Sequence, residues 1–378
     1  MIDSKTVMII AGEASGDMHG ASLVQEMLKI DPTINFYGIG GNGLREAGVQ
    51  LLANVSEMAV VGLTEVVSKL GKFISVMNSL KKSLDDVRPD LVILIDYAGF
   101  NLRLAKAVHK RGIKIFYYIS PQVWASRSGR ISKIKKYVNK MAVILPFEVE
   151  TYQQENFPVN YVGHPLLDMV QTKYSRLEAR AKFGLQADKT VVALLPGSRF
   201  SEVVKLLPEM LQAGEILTKQ ILDIQFLLPL AETLEERTIA DILAGYNLKV
   251  HIISGHTYDA ISCTDLAIVA SGTATLETAL LGVPMIIIYK ISALTYLIGK
   301  MIIKVKNIGI VNIIAGKTIV PELIQQEANG RRIAAEALSI LTNNAIKQKM
   351  IGELAEIRAK LGTHGAAIRA AKLACDML

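Results

Sequence analysis

Short apolar runs recur along the chain, each bounded by glycine, proline or a charge, and most are followed by a stretch with helical apolar spacing. The first half holds TVMIIAG, INFYGIG, DLVILIDYAG, IKIFYYIS and KMAVILPF; the second holds KTVVALLPG, IQFLLPL, LKVHIIS, DLAIVAS and VPMIIIY. These runs are rich in β-branched or aromatic residues and do not alternate with polar ones. That pattern predicts parallel strands covered on both faces. Between them, FISVMNSLKKSLDDVR, NLRLAKAVHKRG and SEVVKLLPEMLQAGEILTKQ predict amphipathic helices. Strand and helix alternating throughout imply an α/β chain in which a doubly wound, Rossmann-like sheet forms twice, with a cleft between the two sheets. Strand periodicity lapses after Gly163, so the junction is expected around residues 165–185. The expected division is one domain over residues 1–165 and a second over 166–349. Helices in 350–378, broken at Gly362, are expected to complete the first.

Composition narrows the classes. The chain has 378 residues, 51% of them hydrophobic, and a mean hydropathy of +0.33, oily for a cytosolic enzyme. Yet no run approaches the roughly 18 apolar residues of a spanning helix. The start, MIDSKTVMIIAG, lacks a basic leader and cleavage site and reads as a first strand, so a cytoplasmic location is expected. Cys263 and Cys375 stand far apart without metal-ligand spacing and are read as packing residues. The net charge of +7 favours an anionic partner: nucleic acid, nucleotide or acidic membrane surface. Nucleic acid is disfavoured, because aromatics total 6% and are not interleaved with the basic residues.

Two tempting motifs fail on context. GIGGNG, residues 38–43, has dinucleotide-fingerprint spacing but follows the second strand and opens only a short helical turn. AGKT, residues 315–318, lacks the first glycine of a P-loop, since Val311 occupies it. Other stretches carry more. Asp96 closes the buried run DLVILID, and ligands of open α/β sheets collect beyond strand carboxyl ends; it is either a base for a bound hydroxyl or a helix cap. LLPGSR ends another strand with Gly197, Ser198 and Arg199, offering close backbone approach, a hydroxyl and a guanidinium fork. VASGTATLETALLG repeats the design. Ser271, Gly272, Thr273 and Ala274 open a helix whose N–H groups suit an anion, and Glu277 lies one turn in, within reach of sugar hydroxyls. Two such turns in one half point to a nucleoside diphosphate. AGEASGD, residues 11–17, suits a phosphate cradle, a catalytic carboxylate or a bare bend equally well. The six histidines are scattered and no metal-ligand spacing appears, so neither metal nor cofactor is expected. The basic stretch 120–140, with Arg127, Arg130, Lys133, Lys135, Lys136 and Lys140, reads as a solvated helix or as a contact to anionic lipid headgroups or a phosphorylated acceptor, and the apolar, lysine-dotted stretch 294–307 as a buried helix or one lying on a membrane.

AGEASGDMHGA, SPQVWA, VGHPL, LLPGSR, ASGTATLETAL and NIIAGKTIVPELIQ occur in an order and spacing that resemble the lipid-A-disaccharide synthases. The likeness covers nearly the whole chain. It implies a GT-B fold and an inverting transfer of diacylglucosamine from UDP-2,3-diacylglucosamine to the 6-hydroxyl of 2,3-diacylglucosamine 1-phosphate. It also implies a UDP site in the second domain at Arg199, residues 272–274, Glu277 and Asn312, and makes Asp96 the catalytic base. Glu13, Ser15 and Asp17 then fall on the acceptor side, to hold the loop or meet the sugar. Acyl-chain substrates imply peripheral attachment to the anionic cytoplasmic face of a Gram-negative inner membrane. The nearest rival is a UDP-N-acetylglucosamine 2-epimerase, of the same fold with a similar nucleotide half.

Overall fold

The computed structural model describes residues 4–54, 63–121, 123, 129–291 and 307–378. They form two compact units. The first comprises the chain up to Asp168 together with Leu361–Leu378, and the second the described residues from Met169 to Lys360.

In the first unit the strands are β1 (Thr6–Ala11), β2 (Asn35–Gly40), β3 (Gln50–Asn54), β4 (Leu91–Ile95), β5 (Lys114–Tyr118), β6 (Lys140–Val143) and β7 (Asn160–Tyr161). They lie in the order β3-β2-β1-β4-β5-β6-β7, every pair parallel. Met8, Ile10, Val92, Leu94, Ile115 and Tyr117 face one cluster with Phe100 and Leu104 of helix Ala98–His109. The alternate residues Val7, Ile9, Ile93, Ile95, Phe116 and Tyr118 are equally buried on the other face. Burial on both faces is why these strands read as unbroken apolar runs.

The second unit contains β8 (Val191–Leu195), β9 (Gln225–Leu230), β10 (Val250–Ser254), β11 (Leu266–Ala270), β12 (Met285–Tyr289) and β13 (Glu322–Ile324). Their order, β10-β9-β8-β11-β12-β13, is again all parallel. In each sheet the winding reverses beside the first strand, between β1 and β4 and between β8 and β11. Crevices at such reversals are where doubly wound sheets bind ligands.

The expected end of the second domain at residue 349 is corrected. Residue 349 lies inside a continuous helix, Asn344–Lys360, that belongs to the second unit. The chain returns to the first unit only at Leu361, through a break holding Gly362 and Gly365, into helix Ala366–Cys375. The buried face of that helix, Ala366, Ala370, Ala371 and Ala374, carries only methyl groups, so it packs closely on helix Ala14–Ile30. GIGGNG runs from β2 into helix Asn42–Glu46, and Gly316 of AGKT merely ends helix Ile310–Ala315.

Candidate active site

Glu13 follows β1 and Asp96 follows β4, so the reversal point of the first sheet brings two carboxylates together. Asp96 and Tyr97 both have φ of 41°, in the left-handed region that costs L-residues about 1–2 kcal/mol each. Neighbours hold the backbone there. The Asn101 amide donates to the carbonyls of Ile95 (3.0 Å) and Asp96 (2.9 Å), and the Tyr117 hydroxyl donates to the Asp96 carbonyl as well. The Asp96 N–H donates to the Tyr118 carbonyl at 3.2 Å. Gly12 is required opposite, because a Cβ there would lie 2.2 Å from the Tyr97 ring.

Asp96 thus lines a cavity of about 290 Å³ with Glu13, Tyr97, Gly99, Pro121 and Arg130. Burial, reinforced by the charge of Glu13, lifts its pKa from 3.8 to about 7; the Tyr97 N–H and Arg130 pull the other way. A strained carboxylate poised near neutrality suits a general base. Behind it Glu148 is also buried and pushed up to about 8, although the N–H groups of Ile144 (3.2 Å) and Leu145 (3.0 Å) donate to it.

The two acids of AGEASGD divide the work. Asp17 is buried, and its carboxylate accepts from the N–H groups of Gly41 (2.5 Å), Gly43 (2.9 Å) and Leu44 (3.1 Å). It caps helix Asn42–Glu46 and does not line the cavity. Glu13 does line it, and Ser15 sits half-buried on the first turn of helix Ala14–Ile30 outside the lining. Arg130 was legible only as one of a basic stretch, and Tyr97 was not singled out by sequence. The rule that would have found Arg130 is topological: loops after adjacent strands, here β4 and β5, end side by side.

At the reversal point of the second sheet, Val269 pairs with Leu195, so the ends of β8 and β11 lie about 5 Å apart. Gly197 follows β8 with φ of 111°, and a Cβ there would lie 2.3 Å from Glu202 Oε2. Ser198 is exposed, and Arg199 precedes helix Phe200–Leu217 with its guanidinium 3.0 Å from Glu202. Ser271 follows β11, Gly272 is the N-cap of helix Thr273–Leu280, and Thr273 and Ala274 open it. The first N–H groups of a helix have no intrahelical acceptor and carry its positive pole. Glu277 is buried enough for its pKa to rise, and the Tyr258 hydroxyl donates to its Oε1 at 3.2 Å.

Asn312, expected among the UDP contacts, has its side chain turned into the protein. It is wholly buried, donating to the Val320 carbonyl (2.9 Å) and Glu322 Oε1 (2.7 Å) and accepting from the N–H groups of Ile319 (2.7 Å) and Val320 (3.1 Å). All four hydrogen bonds of its amide are spent, so it clamps the segment entering β13. Among the described residues, no group of three or more His, Cys, Asp or Glu is placed to hold a metal ion. None of their helices is long and apolar enough to cross a membrane.

The family model for lipid-A-disaccharide synthetase matches residues 7–371. The chain belongs to the lipid-A-disaccharide synthase family. Among curated members, that of Syntrophus aciditrophicus is 57% identical, covering 100% of this chain and 99% of its own. That of Geobacter sulfurreducens is 49% identical over 99% and 98%. Membership makes the chain a glycosyltransferase of lipid A synthesis, and the epimerase reading gives way. Solved structures agree on the fold. The S. aureus MnaA–UDP complex superposes with a TM-score of 0.66 at 12% identity, covering 99% and 98% of the two chains. The kitacinnamycin glycosyltransferase superposes at 0.64 and 13%, covering 100% of both. The synthase family therefore shares its two-sheet GT-B scaffold with enzymes of other activities.

Proposed function

We propose that the chain joins UDP-2,3-diacylglucosamine to 2,3-diacylglucosamine 1-phosphate, releasing UDP and forming the β-1,6-linked disaccharide 1-phosphate with inversion. The observation that carries the mechanism is Asp96, clamped in a strained turn at a sheet reversal and held near neutrality in a cavity. The 6-hydroxyl of the acceptor attacks the anomeric carbon of the donor as the bond to UDP breaks, and its proton passes to Asp96. Glu13 accepts a hydrogen bond from the acceptor sugar and keeps Asp96 basic. Negative charge grows on the departing diphosphate. Arg199, Ser198, Gly197 and the helix-opening residues 271–274 meet it with a guanidinium and N–H groups, and no metal is needed. Glu277 receives a ribose hydroxyl.

The lipid substrates call for work at a membrane surface, on the cytoplasmic face of the inner membrane. The helix Gly129–Tyr137 supports this: it buries Ile131 and Ile134 and exposes Lys133, Lys135 and Lys136. The test is mass spectrometry of the product from the two purified substrates, with anomeric configuration read by NMR. A β-linked disaccharide phosphate with one UDP released per linkage is expected. Epimerisation at C2 of a UDP-sugar without disaccharide would overturn the reading.

A further inference from the structure

Arg130 differs from the rest of its basic stretch. In helix Gly129–Tyr137 the side chains of Ile131 and Ile134 are sunk in the core of the first unit, in one cluster with Phe100 and Leu104 of helix Ala98–His109. Lys133, Lys135 and Lys136 are exposed, whereas Arg130 is half-buried and lines the cavity that holds Asp96. Side chains on a helix tilt toward its N-terminus, which lets a first-turn residue reach back to that cavity. Helix stability gives no reason for an arginine there, because a cation in the first turn opposes the positive pole of the helix. Ion pairing gives none either. Among the described residues the Arg130 guanidinium makes no hydrogen bond and no ion pair, although Glu13 and Asp96 line the same cavity. A planar fork of five N–H donors stands there unspent.

The acceptor carries the matching group. In 2,3-diacylglucosamine 1-phosphate, C1 and C5 flank the ring oxygen. The phosphate and the 6-hydroxymethyl group therefore leave one edge of the sugar, and the acyl chains leave the opposite edge. A cavity of about 290 Å³ that carries Asp96, Glu13 and Arg130 offers polar partners to the first edge, with carboxylates for the hydroxyl and a separate guanidinium for the phosphate. We infer that Arg130 binds the 1-phosphate of the acceptor and makes the transfer selective for a phosphorylated sugar over the same sugar without its phosphate. The inference rests on the transfer reaction proposed above and assigns the acceptor's charge to one side chain. A guanidinium can meet a phosphate through two parallel N–H···O bonds, so the contact fixes the orientation of the ring as well as holding its charge.

Steady-state kinetics on the full chain tests this, with 2,3-diacylglucosamine 1-phosphate and 2,3-diacylglucosamine as acceptors for the wild type, Arg130→Gln and Arg130→Lys. Arg130→Gln is expected to lower kcat/KM for the phosphorylated acceptor about tenfold to a hundredfold relative to the unphosphorylated one, the worth of a charge-assisted contact. An effect of the missing charge on Asp96 falls on both acceptors, so the ratio reports the phosphate alone. Arg130→Lys keeps the charge without the fork and is expected to recover part of the preference. An unchanged melting temperature is expected for both variants and shows the fold intact. A preference unchanged in Arg130→Gln, whether or not both acceptors slow together, overturns the inference; Arg130 then serves the base and not the phosphate. A wild type that forms no disaccharide from either acceptor removes the transfer reading itself, and the inference falls with it.

Discussion

A carboxylate in a left-handed turn, desolvated and beside another acid, is held where it least wants to ionise. At Asp96 the unfolded chain ionises near 3.8 and the folded one near 7, so the fold binds the extra proton and loses stability as pH rises across that window. Asp96→Asn removes the penalty, and asparagine tolerates the left-handed region well. The melting temperature at pH 8 is therefore expected to rise, while turnover falls about 10²–10⁴-fold with UDP affinity unchanged. A role as a mere cap gives the opposite pair, a lower melting temperature with turnover intact. In the wild type, kcat/KM is expected to fall as pH drops below about 7, where the base is protonated; a flat profile from pH 5 to 8 would speak against it. Arg199→Ala should weaken UDP about tenfold to a hundredfold in calorimetry, the worth of a charge-assisted phosphate contact, with the fold retained.

Among elements, the reversal points do the positioning, and short polar caps fix the turns that reach them. Asp17 binds three N–H groups of the turn into helix Asn42–Glu46. Asp17→Ala leaves those donors without their acceptor and should cost roughly 1–3 kcal/mol of unfolding free energy, read by denaturant titration, with UDP affinity unchanged. The ten runs that announce themselves as strands all form strands; nine are interior strands whose burial on both faces leaves little polar character to blur them, and the tenth, β10, is a partly buried edge. The strands that sequence did not announce, β3, β7 and β13, are sheet edges. There QLLAN mixes polar with apolar residues, and NY and ELI are too short to show a period. Of the candidate site, Asp96, Glu13 and the 197–199 and 271–274 turns were open to sequence reasoning because each follows an apolar run. Arg130 was hidden in a basic stretch, and the internal hydrogen bonds of the Asn312 side chain cannot be read from its motif.

For the molecule as a whole, one strand order occurs twice, yet charge sits at the two reversal points differently. The first presents Glu13 and Asp96 beside Arg130, and the second presents Arg199 with helix N-termini. That asymmetry fits a base in one unit and a diphosphate in the other. The net charge of +7 and the exposed Lys133, Lys135 and Lys136 lead to a further expectation, sedimentation with anionic liposomes that declines as salt rises. Replacing the three lysines by glutamate should abolish most of it; undiminished binding would move the contact elsewhere. Most of the apolar stretch 294–307 and part of the basic stretch 120–140 lie outside the described residues.

The return of residues 361–378 to the first unit sets an order of events during synthesis. Helix Ala14–Ile30 emerges early, but the helix that covers it, Ala366–Cys375, follows only after all of residues 169–360. At ribosomal speeds that gap lasts about 10–40 s. Asp168, whose carboxylate will accept the N–H groups of Gly365 and Ala366, waits through the same interval. The nascent first unit thus exposes an apolar face while the second has every strand it needs, so the unit begun second is the one able to finish first. A chaperone engaging ribosome-bound chains should hold those stalled before residue 361 and release those extended past 378.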